Sequence, residues 1–162
     1  MNIQGWASTH DLDHSGHIVL PSAYSKTIAS RGLQGPRGVR LLAYHDKERT
    51  IGAITKLEVR NSGLWLEGEI EEGISYAKDL ALALKACGGM SFSVGFFLKD
   101  ADVTDDGVLV IKEVDLFEVS VVPLPANDAA VMVPSRKGGE LHALGDQIKQ
   151  LKRTIERLSR CK

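Results

Sequence analysis

The chain has 162 residues, 43% of them hydrophobic and 25% charged, which is the size and composition of one soluble globular domain. No apolar run approaches the roughly 20 residues of a membrane helix, and the opening "MNIQGWASTH" lacks the basic-then-apolar pattern of a secretory signal. Cys87 and Cys161 sit in unrelated contexts and suggest no disulfide framework, so a reducing, cytoplasmic setting is expected. The net charge of −1 hides an asymmetry: residues 136–162 carry eight Lys/Arg against three Asp/Glu, leaving an acidic body. That basic tail has no aromatic residue, which argues against nucleic-acid binding.

The body reads mainly as β-structure. "HIVLP" is a short strand, followed by a short helix over "SAYSKTIAS" with Ser22 as its N-cap. "GVRLLAYHD" alternates as a strand, and "TIGAITKLEVR" and "GLWLEGEIE" form a hairpin about Asn61-Ser62-Gly63. "SYAKDLALALKACGG" is the clearest helix, with Leu80, Ala83, Leu84 and Cys87 on its apolar face and Gly88-Gly89 as its stop. Strands over "MSFSVGFFL", "VLVIKEV" and "LFEVSVVPL" follow, the first two separated by a turn at "TDDG". Many short strands with few helices predict a mainly β, α+β fold built on a closed or nearly closed antiparallel barrel. The barrel spans residues 1–134, a linker 135–139 and a helical tail 140–162. In the tail, Leu141, Leu144, Ile148, Leu151, Ile155 and Leu158 repeat as strict heptads. Ile at a and Leu at d favour a parallel two-stranded coil, so the tail is expected to form a coiled coil and the chain a homo-oligomer.

Three features carry candidate chemistry. His10, Asp11, Asp13, His14 and His17 crowd "THDLDHSGH", but their spacing is not a helical i, i+4 ligand pair, and a solvated turn-rich loop explains them better than a metal site. Cys87 on a helix's apolar face reads as a small buried hydrophobe rather than a nucleophile. In "GGMSFSVGFF", Ser91 and Ser93 alternate onto the same strand face, so periodicity does not separate them, and Gly95 beside Ser93 favours it only slightly by leaving the backbone open. His45 ends an apolar strand, where its ring can reach a cleft from a rigid backbone. Glu118 lies in the apolar strand "DLFEVSVVPL", opposite in sense to Phe117, Val119 and Val121. A carboxylate in such surroundings needs a partner, either a salt bridge or an imidazole that it orients.

The ordered set "LLAYHD", "MSFSVGF" and "FEVSVVPLPAN", with "GWASTHDLDHSGHIVLPSAY" before it and "IGAITKLEVRNSGLWLEGEI" between, resembles the prohead maturation proteases of tailed bacteriophages over roughly residues 3–133. That family is similar in fold to herpesvirus assembly proteases, a β-barrel flanked by helices. Its serine motif, S-apolar-G-aromatic, is met by Ser93-Val94-Gly95-Phe96, whereas Ser91 has serine where glycine is required. The resemblance implies His45 as the base, Ser93 as the nucleophile and Glu118 as the acid, with Asp46 as the rival acid by sequence proximity. The family's D-x-x-G-D element stands here as Asp13-His14-Ser15-Gly16-His17, with histidine at its last position.

The function that this resemblance implies is a serine endopeptidase without cofactor or metal. Its substrates would be a viral scaffold, the scaffold segment of the major capsid protein and the enzyme itself, inside the immature capsid in the host cytoplasm. The contrasting expectation is a catalytically inactive scaffold or capsid-assembly module that keeps the barrel and tail. A small-ester hydrolase fits less well, since no G-x-S-x-G elbow is present.

Overall fold

A computed structural model of the chain describes residues 1–134. The expected linker at 135–139 and the heptad tail at 140–162 lie outside the described residues. Eight strands form one sheet: β1 (Asn2–Thr9), β2 (His17–Val19), β3 (Arg40–Ala43), β4 (Asp46–Arg60), β5 (Gly63–Ile70), β6 (Ser91–Val103), β7 (Leu109–Val122) and β8 (Met132–Pro134). Helix α1 (Ser25–Arg31) follows β2, and α2 (Ser75–Ala86) follows β5.

The two hairpins read from turn residues are present: β4 and β5 turn at Asn61-Ser62, and β6 and β7 turn at 104–107, where Gly107 has φ 83°. Helix α2 buries Ala77, Leu80, Ala81 and Leu84, one stripe at helical spacing. It stops in a Schellman motif: Gly88, at φ 74°, donates to Lys85 O, and Gly89 donates to Leu84 O at 3.0 Å. Cys87, the helical C-cap residue, is exposed rather than buried, because the buried stripe of α2 ends one turn earlier at Leu84. Ser22 is likewise not an N-cap. Pro21–Tyr24 form a 3-10 turn led by Leu20, because proline at the first position presets its geometry, and α1 begins only at Ser25.

The sheet corrects the expected closed or nearly closed antiparallel barrel in two respects. It is mixed, since β2 and β3 both run parallel to β7. It also does not close. Its neighbours run β2-β7-β3-β4-β5-β1-β8, with β6 on β7, and among the described residues the ends meet through the isolated Ser91–Val131 bridge rather than a ladder. β8 is three residues long and ends at Pro134, which has no N–H to extend the pairing. Strand alternation cannot distinguish parallel from antiparallel neighbours, because both obey a period of two.

β7 is the hub of this sheet. One edge pairs along its length with β6, while β2 takes residues 109–111 and β3 takes 118–121. The gap between those short strands is filled by α1. Its Thr27 hydroxyl donates to Val114 O at 2.7 Å and accepts from Leu116 N at 3.1 Å, while Arg31 grips Asp115 through Nε at 2.7 Å and Nη2 at 2.9 Å. Thr27 is therefore the buried stand-in for a missing strand neighbour. Thr27→Val keeps the shape but leaves both backbone groups unpaired. It should lower stability by about 1–3 kcal/mol, read as a lower urea midpoint at unchanged m-value, while Thr27→Ser should retain most of it.

Candidate active site

His45 does not continue β3. The strand ends at Ala43, and Tyr44 and His45 form a two-residue turn into β4, with Ala43 opposite Asp46. Both turn residues have positive φ, 56° for Tyr44 and 60° for His45, the sign pattern of a type I′ hairpin. Such turns favour Asn-Gly because of the Cβ penalty; two side-chain-bearing residues of this bulk persist only where the surroundings hold them. Tyr44 N–H donates to Val121 O at 3.1 Å and His45 N–H to Ser120 Oγ at 2.9 Å. The strained turn thus projects the imidazole over β7.

Glu118 receives it. The carboxylate is 2% exposed, and Oε1 lies 2.7 Å from His45 Nδ1 while Oε2 accepts from Ser120 Oγ at 2.7 Å. Both oxygens of a buried charge are accordingly satisfied, which is the condition for its burial. The hydrogen bond to Glu118, with its negative charge, raises the His45 pKa above its ordinary value, although partial burial of the ring opposes this. Carboxylate contact at Nδ1 favours the tautomer that leaves Nε2 unprotonated and free to accept a proton. Asp46, the rival acid, turns elsewhere: Oδ1 caps Glu48 N at 2.9 Å and Oδ2 meets Arg49 at 3.1 Å.

Glu118 reaches this position because β7 bulges just before it. Gly95 pairs with Glu118 but Phe96 pairs with Leu116, so Phe117 is the extra residue. The bulge resets the alternation. Leu116 faces the core on one side of it and Val119 and Val121 on the other, while Phe117 packs against Phe97 at 4.9 Å. Phe117 therefore does not share the core face of Val119 and Val121, as strict alternation suggests.

The same register separates the two serines. Ser93 lies opposite Ser120, with Gly95 opposite Glu118, so Ser93 shares its face with the His45–Glu118 pair. Ser91 lies opposite Val122 and bridges to Val131, farther along the strand. Among the described residues no hydrogen bond joins Ser93 to His45. Gly95 has a different purpose from an open backbone: a Cβ there would stand 2.0 Å from Glu118 Oε1, so its bare Cα is the space the carboxylate occupies.

A cavity of about 170 Å³ adjoins Ser93, bounded also by Ser8, Asp13, His17, Phe92 and Asn127. The histidine-rich loop builds its rim. Asp13 Oδ1 accepts from Ser15 N and His17 N, both at 2.8 Å, and His14 Nε2 pairs with Asp128 at 2.9 Å. His17 thus borders the cavity beside Ser93, whereas His10 and His14 are exposed. Sequence reasoning placed Ser120 on the face of Glu118 but missed its hydrogen bonds, and it missed the positive-φ turn altogether. Ser120 in "EVS" shares the face of Glu118, and that spacing was its available signal.

The fold is one already seen in a viral protease. It aligns with the crystal structure of KSHV protease in complex with a hexapeptide phosphonate inhibitor at a TM-score of 0.51 and 12% identity, covering 99% of this chain and 77% of that one. Residues 1–143 match the model for the caudovirus prohead serine protease, and the chain belongs to that family. It is 33% identical over 132 residues to the prohead protease of Escherichia phage T5 and 30% identical over 131 residues to that of Enterobacteria phage HK97. Each alignment covers 78% of this chain but 59% and 56% of those proteins, so the chain spans just over half the length of these curated relatives.

Gly95→Ala tests the packing of Glu118 against His45. Displacement of the carboxylate should bring the His45 titration, followed by ring-proton NMR, down toward the ordinary value of about 6.5. A histidine whose folded pKa is raised stabilises the fold below its unfolded value, and that stability is lost as pH rises through the folded value. The stability gap between wild type and Gly95→Ala should therefore be widest at acidic pH and narrow as pH rises through the His45 transition. An unchanged His45 titration would show that Gly95 does not make room for the pair.

Proposed function

We propose that this chain is a serine endopeptidase of prohead maturation, with Ser93 as nucleophile, His45 as general base and Glu118 as the residue that orients it. The observation that carries the proposal is the 2.7 Å contact between His45 Nδ1 and a buried carboxylate, on the strand face that Ser93 shares. His45 Nε2 takes the Ser93 hydroxyl proton as Oγ attacks a peptide carbonyl carbon. Collapse of the tetrahedral intermediate breaks the C–N bond, and His45 returns the proton to the leaving amine. Water, deprotonated in turn by His45, then hydrolyses the acyl ester and restores Ser93. Throughout, Glu118 stabilises the imidazolium that forms at each step. Membership of the prohead protease family supports the viral scaffold and the scaffold segment of the major capsid protein as substrates, cut inside the immature capsid.

Co-expression with the phage's own major capsid protein tests this reading. Ser93→Ala should abolish processing, and Ser91→Ala should leave most of it; the reverse pattern would move the nucleophile to Ser91, and unprocessed capsid protein with wild type would favour an inactive assembly module. Glu118→Gln removes the charge that fixes the imidazole and should slow cleavage on the order of 10⁴-fold. Because the neutral imidazole is the base and its pKa is raised, the rate should fall on acidification with a midpoint above about 6.5.

A further inference from the structure

We propose that Ser120 is a positioning residue for the Ser93–His45–Glu118 site, locking the histidine ring to its own backbone through the carboxylate. The proposal rests on that reading of the site. A hydroxyl has one proton to donate and lone pairs to accept with. Ser120 uses its proton on Glu118 Oε2 at 2.7 Å and accepts the His45 backbone N–H at 2.9 Å. Glu118 Oε1 then closes a ring at His45 Nδ1, 2.7 Å away. The ring starts and ends on one residue: His45 N, Ser120 Oγ, the two oxygens of Glu118, and His45 Nδ1. It couples the backbone of the strained turn to the orientation of the imidazole that the turn carries.

Two further observations give this ring its force. Ser120 is 0% exposed, so water cannot replace its hydroxyl for either partner. Tyr44 and His45 hold positive φ without being glycine, and of the two backbone donors that pin this turn to β7, one ends on Ser120. Loss of the hydroxyl therefore frees the turn and the carboxylate together. Ser120 is also excluded as a rival nucleophile, because it is fully buried and its proton is directed at Glu118.

The test compares wild type, Ser120→Ala, Ser120→Thr and Ser93→Ala as full chains, with the purified major capsid protein as substrate. Ser120→Ala should lower kcat about 10–100-fold, the scale seen when an orienting outer partner is removed, with KM unchanged. Its acidic limb should move down toward the ordinary histidine value, since the carboxylate is no longer held against Nδ1. Ser120→Thr, which keeps the hydroxyl, should restore most of kcat. A folded Ser120→Ala protein with wild-type kcat and an unmoved acidic limb overturns the proposal. If that variant does not fold, Ser120→Cys, of similar size but a weak donor, takes its place under the same criteria. The His45 titration in the Ser93→Ala background, with and without the Ser120 change, needs no turnover: a shifted midpoint supports the positioning role and an unchanged one refutes it. Full processing by Ser93→Ala would instead refute the proposed nucleophile, so the two failures are distinct.

Discussion

The burial of the Glu118 carboxylate is the constraint on which the rest of the site depends. A charge that is 2% exposed must have both oxygens engaged, and the chain provides for this from two strands and a turn. β7 itself supplies Ser120 two residues on, the β3–β4 turn brings His45, and β6 leaves a glycine where any side chain would collide with Oε1. The bulge at Phe117 is the backbone device that turns Glu118 toward these partners while Leu116 and Val119 on either side of it stay in the core. Each of these features is unfavourable or wasteful alone, and together they form one satisfied cluster.

The sheet is arranged to keep that cluster rigid. β7 pairs on one edge with β6, which brings Ser93, and on the other with β3, which ends in the His45 turn. The nucleophile candidate thus sits on one strand flanking the acid, held by ladder hydrogen bonds, and the base candidate on the turn that ends the other, pinned by its own N–H to Ser120 Oγ. Function-bearing side chains on paired strands hold their geometry more closely than side chains on free loops. Helix α1 serves the same end, since Thr27 and Arg31 close the stretch of β7 edge that neither β2 nor β3 covers. Family membership agrees with this architecture, as does the likeness of the fold to a herpesvirus protease.

Local patterns in the sequence located the hairpins at Asn61-Ser62 and at 104–107, helix α2 with its glycine stop, and the placement of Ser91 and Ser93 on one face. These depend on turn chemistry and on periods of 2 and 3.6, which neighbouring residues set by themselves. Motif resemblance supplied His45, Ser93 and Glu118, and the need of a buried carboxylate for a partner pointed to an imidazole. Tertiary structure decided the rest. Parallel pairing of β2 and β3 with β7 and the open sheet follow from which distant edges meet, a fact no local period encodes. The positive-φ turn at Tyr44-His45 has none of the glycine or asparagine that would announce it, because hydrogen bonds that its own N–H groups donate to β7 hold it. Gly95 looked like a stretch of open backbone and is the space for a carboxylate 23 residues away in sequence, since the cross-strand register alone brings the two together. The sequence by itself determined which residues are candidates for the chemistry, and only the fold decided which of them touch, because those contacts are made between segments that the chain keeps far apart.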